Sequence, residues 1–334
     1  MSTRIRTATG TRHTRILGVG AYRPARVVTN HEIASRIDSS DEWISSRTGI
    51  RTRRWAGPDE TLTEMGAAAA GKAIAHAGLS PGQIDAVLVA TITHFKQTPA
   101  AATTIGHRVG ADAAMALDIS AACAGFSTAL ALASDLVRAG SAGHVLVIGV
   151  ERLSDLLNHD DRGTAFLFGD GAGAVVVGPA ETPGIGPVAW GADGSQSDII
   201  TQSVSWQELR HDREVTFPFV QMEGQAVYRW ASRAVAQVAR TALDLAGITG
   251  GQLDAFIPHQ ANLRITDALV KALDLPTSVA VARDIVDAGN TSAASIPLAM
   301  DQMLASGEVN SGDTALLLGF GAGLAYASQV VTLP

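Results

Sequence analysis

At 334 residues, with 46% apolar and 17% charged side chains, the chain can bury a large core and carries too little charge to stay unfolded as a whole. Its formal net charge of −7 excludes a globally basic surface for nucleic-acid phosphates, while leaving room for local basic patches. The single cysteine excludes an internal disulfide, so its thiol is either a small buried filler or a reagent.

Residues 1–14 carry Arg4, Arg6 and Arg12 among Ser, Thr and Gly, without the apolar run of a secretory signal. A flexible arm is expected there. No apolar segment reaches the roughly 20 residues of a bilayer span, so the sequence predicts a cytoplasmic protein with no membrane partner.

An Ala-rich stretch at helical spacing ends near Gly78, and the short apolar strand Val87-Leu88-Val89 follows. The connecting segment Ala77-Gly78-Leu79-Ser80-Pro81-Gly82-Gln83-Ile84-Asp85-Ala86 returns as Ala246-Gly247-Ile248-Thr249-Gly250-Gly251-Gln252-Leu253-Asp254-Ala255, 169 positions on. There too an Ala-rich stretch precedes and an apolar pair, Phe256-Ile257, follows. A second echo sets Leu136 to Gly140 and Val145 to Gly149 against Met303 to Gly307 and Ala315 to Gly319, at offsets of 167 and 170. Two echoes at nearly one spacing predict a duplicated α/β fold, with a first half over 15–180, a second over 181–334 and a boundary near Pro179 to Pro187. Apolar strands alternating with helices predict sheets covered on both faces, stacked as layers, with a site at strand-to-helix junctions near the seam.

Cys123 stands at such a junction, in Asp118-Ile119-Ser120-Ala121-Ala122-Cys123-Ala124-Gly125-Phe126. A helix N-terminus there is expected to favour the thiolate and make an acyl-accepting nucleophile. The small neighbours Ala122, Ala124 and Gly125 leave room for a substrate. His159-Asp160-Asp161 has no second cluster at metal-ligand spacing, so no metal is expected. Phe168-Gly169-Asp170-Gly171-Ala172-Gly173 lacks the helix a dinucleotide loop needs, and Asp170 is expected to hold a turn.

In the second half, His259 follows the strand in Phe256-Ile257-Pro258-His259-Gln260-Ala261-Asn262 and is a candidate acid, base or hydrogen-bond donor. Asn290, in Ala288-Gly289-Asn290-Thr291-Ser292-Ala293-Ala294-Ser295, leads into another Ala-rich helix. It suits a helix N-cap, and company with Cys123 and His259 would make it a site residue. At the repeat spacing Ser292 is expected opposite Cys123. Gly319-Phe320-Gly321-Ala322-Gly323 lacks the acidic residue of a dinucleotide site and suits a close backbone turn beside a substrate.

Together with Asp41-Glu42-Trp43-Ile44 and Arg47-Thr48-Gly49-Ile50, these segments resemble the 3-oxoacyl-[acyl-carrier-protein] synthase III family of the thiolase-like superfamily, over nearly the whole chain. The resemblance implies a thiolase-like duplicated αβαβα fold with two pseudo-symmetric halves. It implies a Cys123, His259 and Asn290 trio that condenses an acyl-CoA starter with a malonyl-acyl-carrier protein, initiating fatty acid or polyketide synthesis, with backbone N–H groups of Cys123 and Ala322 as an oxyanion hole. It further implies Trp43 and Arg162 around the adenine of coenzyme A, Arg47 and Asn262 along its tunnel, and Arg229, Arg264 and Lys271 as docking positions for the acidic carrier protein. Thr98 matches a position that faces the partner's acyl pocket in a homodimer, where a small side chain would admit longer or branched starters. Acyl-CoA is then a substrate, and no cofactor is held permanently. Two rivals keep the cysteine: an acyltransferase passing the acyl group to another acceptor, and an acyl-binding subunit without catalysis. Retention of both His259 and Asn290 favours condensation.

Overall fold

Alternation along the strands sorts the core into layers. A computed structural model describes residues 8–212 and 214–334. The first sheet contains β1 (His13–Tyr22), β2 (Ala86–Ala90), β3 (Met115–Ile119), β4 (Val145–Arg152) and β5 (Asp170–Ala180). The second contains β6 (Ala189–Ala192), β7 (Ala255–Pro258), β8 (Ala280–Val281), β9 (Thr314–Gly321) and β10 (Ala325–Thr332). Their orders are β1-β5-β4-β2-β3 and β6-β10-β9-β7-β8. In each, two neighbouring pairs are parallel and two antiparallel, so four strands point one way and one the other, strand for strand the same way.

Seven helices matter for the site: α1 (Asp41–Thr48), α2 (Leu62–His76), α3 (Ala101–Val109), α4 (Gly125–Ala139), α5 (Ala236–Ala246), α6 (Leu263–Ala272) and α7 (Ser295–Ser306). On β4, Val145 and Val147 face α4 and α7 in the middle layer, while Leu146, Ile148 and Val150 face α2 and α3 outside. On β9, Ala315 and Leu317 face the same middle layer, and Leu316, Leu318 and Phe320 pack toward α5 and α6. Period-two side chains with helices on both faces explain why these strands are apolar without a break. Five layers result, α/β/α/β/α, as the resemblance implies.

The echoed segments occupy equivalent places. After α2 and after α5 the chain makes the short 3-10 turns Pro81–Gln83 and Gly250–Gln252, each closed by a reciprocal cap, Ser80 with Gln83 and Thr249 with Gln252. Helices α4 and α7 both start from 3-10 turns, Ala122–Ala124 and Ser292–Ala294. Their leading residues share a left-handed conformation, φ +45° at Ala122 and +48° at Ser292. Ser292 is therefore equivalent to Ala122, one residue before the expected Cys123, because the loops leading to the two turns differ in length. Strand β1 begins at His13, so the last two residues of the expected arm lie in the sheet.

A hairpin of Arg26–Thr29 with Thr52–Trp55 joins α1 beside the second half. Ile44, Phe166, Leu167 and Val220 pack there in an apolar cluster. Helix α1 is capped by the Ser40 side chain, which accepts from the Trp43 N–H, and ends on Gly49 at φ +77°. A Cβ on Gly49 would fall 2.5 Å from the Leu263 side chain, so glycine lets α1 dock on α6.

Candidate active site

The two helix-leading turns meet at a cavity of about 610 Å³ whose lining includes Cys123, His259, Asn290 and Ser292. Cys123 lies in the turn between β3 and α4. Gly321, the last residue of β9, closes over it: a Cβ there would sit 2.7 Å from the Cys123 Cβ and 3.0 Å from its Sγ. Glycine is what lets the strand end and the sulfur approach so closely. Ala322, next in the chain, also lines the cavity.

The sequence leads one to expect a thiol acidified by the helix N-terminus. In the folded chain, loss of water dominates and pushes the Cys123 thiol up to about 12. A hydrogen bond from Ser292 opposes the rise, the Glu151 carboxylate adds to it, and the cysteine's own N–H opposes it. Cys123 in this state is a thiol, and it must give up its proton when it reacts.

His259 emerges from the end of β7 and is 2% exposed. Burial drives its pKa down to about 3, so the ring is neutral near pH 7. Its Nδ1 lies 2.7 Å from the Ser295 Oγ, and Phe320 meets the ring edge-on at 5.3 Å between centroids. Asn290 is held at both its backbone and its side chain. Its N–H donates to the Leu167 carbonyl at 2.8 Å, and its carbonyl accepts from the Gly169 N–H at 3.0 Å. Its Oδ1 accepts from the Ser292 N–H at 2.9 Å, which leaves the amide NH₂ to donate into the cavity. The expected helix N-cap is not formed, since Thr291 and Ala294 hold the cap positions of the turn and of α7 without a side-chain bond; the Asn290 oxygen instead closes the turn two residues on, and its amide is left on the cavity wall.

The Phe168 to Gly173 segment finds its purpose here, since it braces Asn290. Asp170 ties two loops together, accepting from the Ser154 N–H at 2.9 Å, the Ser154 hydroxyl at 2.6 Å and the Ala56 N–H at 2.8 Å. Burial pushes its carboxyl up to about 6.

At the cavity mouth the Trp43 indole carries the guanidinium of Arg47 at 4.9 Å and that of Arg162 at 5.2 Å. Asn262 caps α6 through the Arg264 N–H at 2.9 Å and donates to the Arg47 carbonyl at 3.2 Å. Arg229 and Arg264 stand on the rim, with Arg264 over Tyr228 at 5.7 Å. Lys271 lies exposed farther along α6, and Thr98 lies exposed outside the lining of the cavity.

Sequence reasoning missed Glu151, Thr91 and Thr93, which lie buried beneath the nucleophile. The available signal was a carboxylate ending the apolar run of β4. Among the described residues no three His, Cys, Asp or Glu side chains gather as a metal would need, and no helix is long and apolar enough to cross a membrane. A sulfur facing two neutral donors can take up an acyl group and then steady negative charge growing on a carbonyl oxygen.

Comparison with known proteins agrees with this chemistry. Residues 117–194 match the family model 3-oxoacyl-[acyl-carrier-protein] synthase III, and 243–333 match its C-terminal model. The chain is 59% identical to the β-ketoacyl-[acyl-carrier-protein] synthase III of Streptomyces glaucescens, over 99% of each chain. It is 51% identical to the mycobacterial β-ketoacyl-[acyl-carrier-protein] synthase III of Mycobacterium tuberculosis, again over 99% of each. In structure it superposes on the priming β-ketosynthase of the R1128 polyketide pathway with a TM-score of 0.97 at 50% identity, covering 100% of this chain and 99% of that one. The 3-oxoacyl-[acyl-carrier-protein] synthase III of Aquifex aeolicus gives a TM-score of 0.88 at 38% identity, covering 96% and 99%.

Proposed function

Because this chain belongs to the 3-oxoacyl-[acyl-carrier-protein] synthase III family, we propose that Cys123, His259 and Asn290 carry out the decarboxylative condensation of that family. The enzyme is an acyl-transferring synthase that joins an acyl-CoA starter to a malonyl-acyl-carrier protein. The observation that carries the assignment is the placing of two neutral donors, His259 and the Asn290 amide, around Cys123 in one cavity.

The sulfur of Cys123 attacks the acyl-CoA carbonyl, and the N–H groups of Cys123 and Ala322 receive the oxyanion. Coenzyme A leaves and the malonyl thioester takes its place. As its carboxylate departs as carbon dioxide, the enolate oxygen accepts hydrogen bonds from His259 and Asn290. The enolate carbon then attacks the acyl-cysteine. A histidine that stays unprotonated near neutral pH suits a donor in this step and is a poor base.

The tunnel wall supports coenzyme A as the carrier. Trp43 with Arg162 offers an aromatic face and a guanidinium for a flat base, and Arg47 and Asn262 lie along the way. Arg229, Arg264 and Lys271 are assigned to docking the acidic carrier protein. A homodimer is supported by β3, an edge strand of the first sheet on which Met115 and Leu117 are 43% and 38% exposed. Thr98 would then face the partner's acyl pocket.

Intact-protein mass spectrometry with acyl-CoA and then malonyl-carrier protein tests this function. Wild type is expected to gain an acyl adduct that Cys123→Ala lacks and to discharge it as a 3-oxoacyl product with release of carbon dioxide. Transfer of the adduct to another acceptor without carbon dioxide would overturn the assignment in favour of an acyltransferase, and no adduct at all in favour of a binding subunit.

A further inference from the structure

Beneath Cys123 lies a carboxylate that the condensation described above does not use. Glu151, the second-last residue of β4, is fully buried. Its Oε2 accepts from the Thr91 hydroxyl at 3.1 Å, the Thr93 hydroxyl at 2.7 Å and the Ile92 N–H at 3.1 Å. Its Oε1 is less heavily engaged, with the Ile92 N–H at 3.3 Å and the Ser292 hydroxyl at 3.2 Å. None of the ion pairs among the described residues includes Glu151. Ser292 lines the same cavity as Cys123, and hydrogen bonding from its side chain is the largest influence that lowers the pKa of the thiol. One hydroxyl therefore stands between the nucleophile and a lone buried carboxylate.

Burying an unpaired carboxylate is costly, and its charge opposes formation of the thiolate beside it. Glu151 is thus badly placed to stabilise a thiolate electrostatically and well placed to take its proton. We propose that Glu151 accepts, through the Ser292 hydroxyl, the proton that Cys123 loses on acylation. As the sulfur–carbon bond forms, the thiol proton passes to the Ser292 oxygen and the Ser292 proton passes to Glu151 Oε1. When the tetrahedral adduct collapses and the bond to the CoA sulfur breaks, the proton returns by the same hydroxyl. Coenzyme A leaves as a thiol and Glu151 is ionised again, so the step balances without an outside base.

The surroundings suit the task. Thr91 and Thr93, from the loop after β2, and Ser292, from the turn before α7, carry no charge, and the titratable side chain beyond them is Cys123. Burial raises the Glu151 carboxyl to about 7, against its hydrogen bonds to Thr93, Ile92, Thr91 and Ser292. That value matches a proton acceptor working near neutrality. His259, across the cavity, stays neutral to about pH 3 and cannot serve. The left-handed backbone of Ser292, φ +48°, is uncommon outside glycine, and its hydroxyl donates to Glu151 Oε1.

The inference rests on Cys123 being the acylated residue, and the test separates the two. The rate of acyl-enzyme formation from acyl-CoA is followed by rapid-quench mass spectrometry from pH 5.5 to 9, for wild type, Glu151→Gln and Ser292→Ala. Wild-type loading is expected to rise with pH through about 7. Both variants are expected to load about a hundredfold more slowly at pH 7 and to lose that rise. Malonyl decarboxylation, measured in a Cys123→Ala background, is expected to change by less than about threefold when Glu151→Gln is added, since Glu151 has no part in that step. Unaltered loading rates and pH profiles in both variants would overturn the relay, as would equal losses in loading and decarboxylation, which mark a merely structural carboxylate. If Glu151→Gln does not fold, Ser292→Ala decides alone by the same two readouts. Absence of any adduct on wild-type Cys123 would overturn both the relay and the assigned nucleophile.

Discussion

His259 Nδ1 and the Ser295 hydroxyl lie 2.7 Å apart, and the Ser295 Oγ also accepts the Gln260 N–H at 3.3 Å. A Ser295 proton given to Nδ1 would leave the ring proton on Nε2, the tautomer that the proposed donor role needs.

Ser295→Ala removes that constraint. Malonyl decarboxylation is expected to fall about tenfold to a hundredfold, the equivalent of one buried hydrogen bond, while acylation of Cys123 stays within about threefold. Nitrogen-15 chemical shifts of His259 should show mixed tautomers in the variant and a single one in wild type. A single unchanged tautomer would remove Ser295 from this role.

Gly321→Ala would drive a methyl group to 2.7 Å from the Cys123 Cβ and 3.0 Å from its sulfur. Overpacking of this kind costs about 1–3 kcal/mol, and acyl loading is expected to fall by more than about tenfold with the displaced sulfur. Gly71→Ala is the control: it lies within α2 with open space around it, and should stabilise the fold by about 0.5–1 kcal/mol. Thermal unfolding and single-turnover loading of both variants check the pair.

Trp43→Ala takes away the aromatic face that carries Arg47 and Arg162. KM for acyl-CoA is expected to rise about tenfold, the effect of roughly 1.4 kcal/mol of binding, with kcat nearly unchanged. A fall in kcat at constant KM would place Trp43 in the chemistry instead.

Stability should depend on pH through Glu151. Its carboxyl titrates near 4.5 when unfolded and near 7 when folded. Below pH 4.5 it is protonated in both states, and its full contribution is present. Between 4.5 and 7 the unfolded chain gives up the proton that the folded chain keeps, so stability falls as pH rises, and the loss is complete above 7. The size is about 3 kcal/mol. Glu151→Gln lacks this term, so its unfolding free energy relative to wild type is expected to climb by about that amount from pH 4 to pH 8. Denaturant unfolding of both proteins across this range measures it, and a constant difference would place the folded carboxyl near its ordinary value.

Much of the fold was legible in the chain because a duplication writes the same signals twice. Ser80 with Gln83 and Thr249 with Gln252 are local caps, set by spacing alone, and the apolar runs of β4 and β9 announce sheets covered on both faces. That Cys123, His259 and Asn290 share one cavity could be anticipated because each stands just after a strand or just before a helix, at the junctions that meet near the seam. These features depend on neighbours within a few residues, and local sequence determines them.

Tertiary structure decided the rest, through contacts between segments far apart in the chain. Loop lengths on either side of the duplication shifted the equivalence of Ser292 from Cys123 to Ala122, which no fixed spacing could show. The state of the thiol was decided by loss of water around the sulfur, outweighing the helix N-terminus that the sequence displays. Glu151 looks from the sequence like an ordinary strand-end carboxylate. Only packing against Thr91, Thr93 and Ser292 makes it a buried group with a path to the sulfur, because desolvation and hydrogen bonding are properties of the assembled interior.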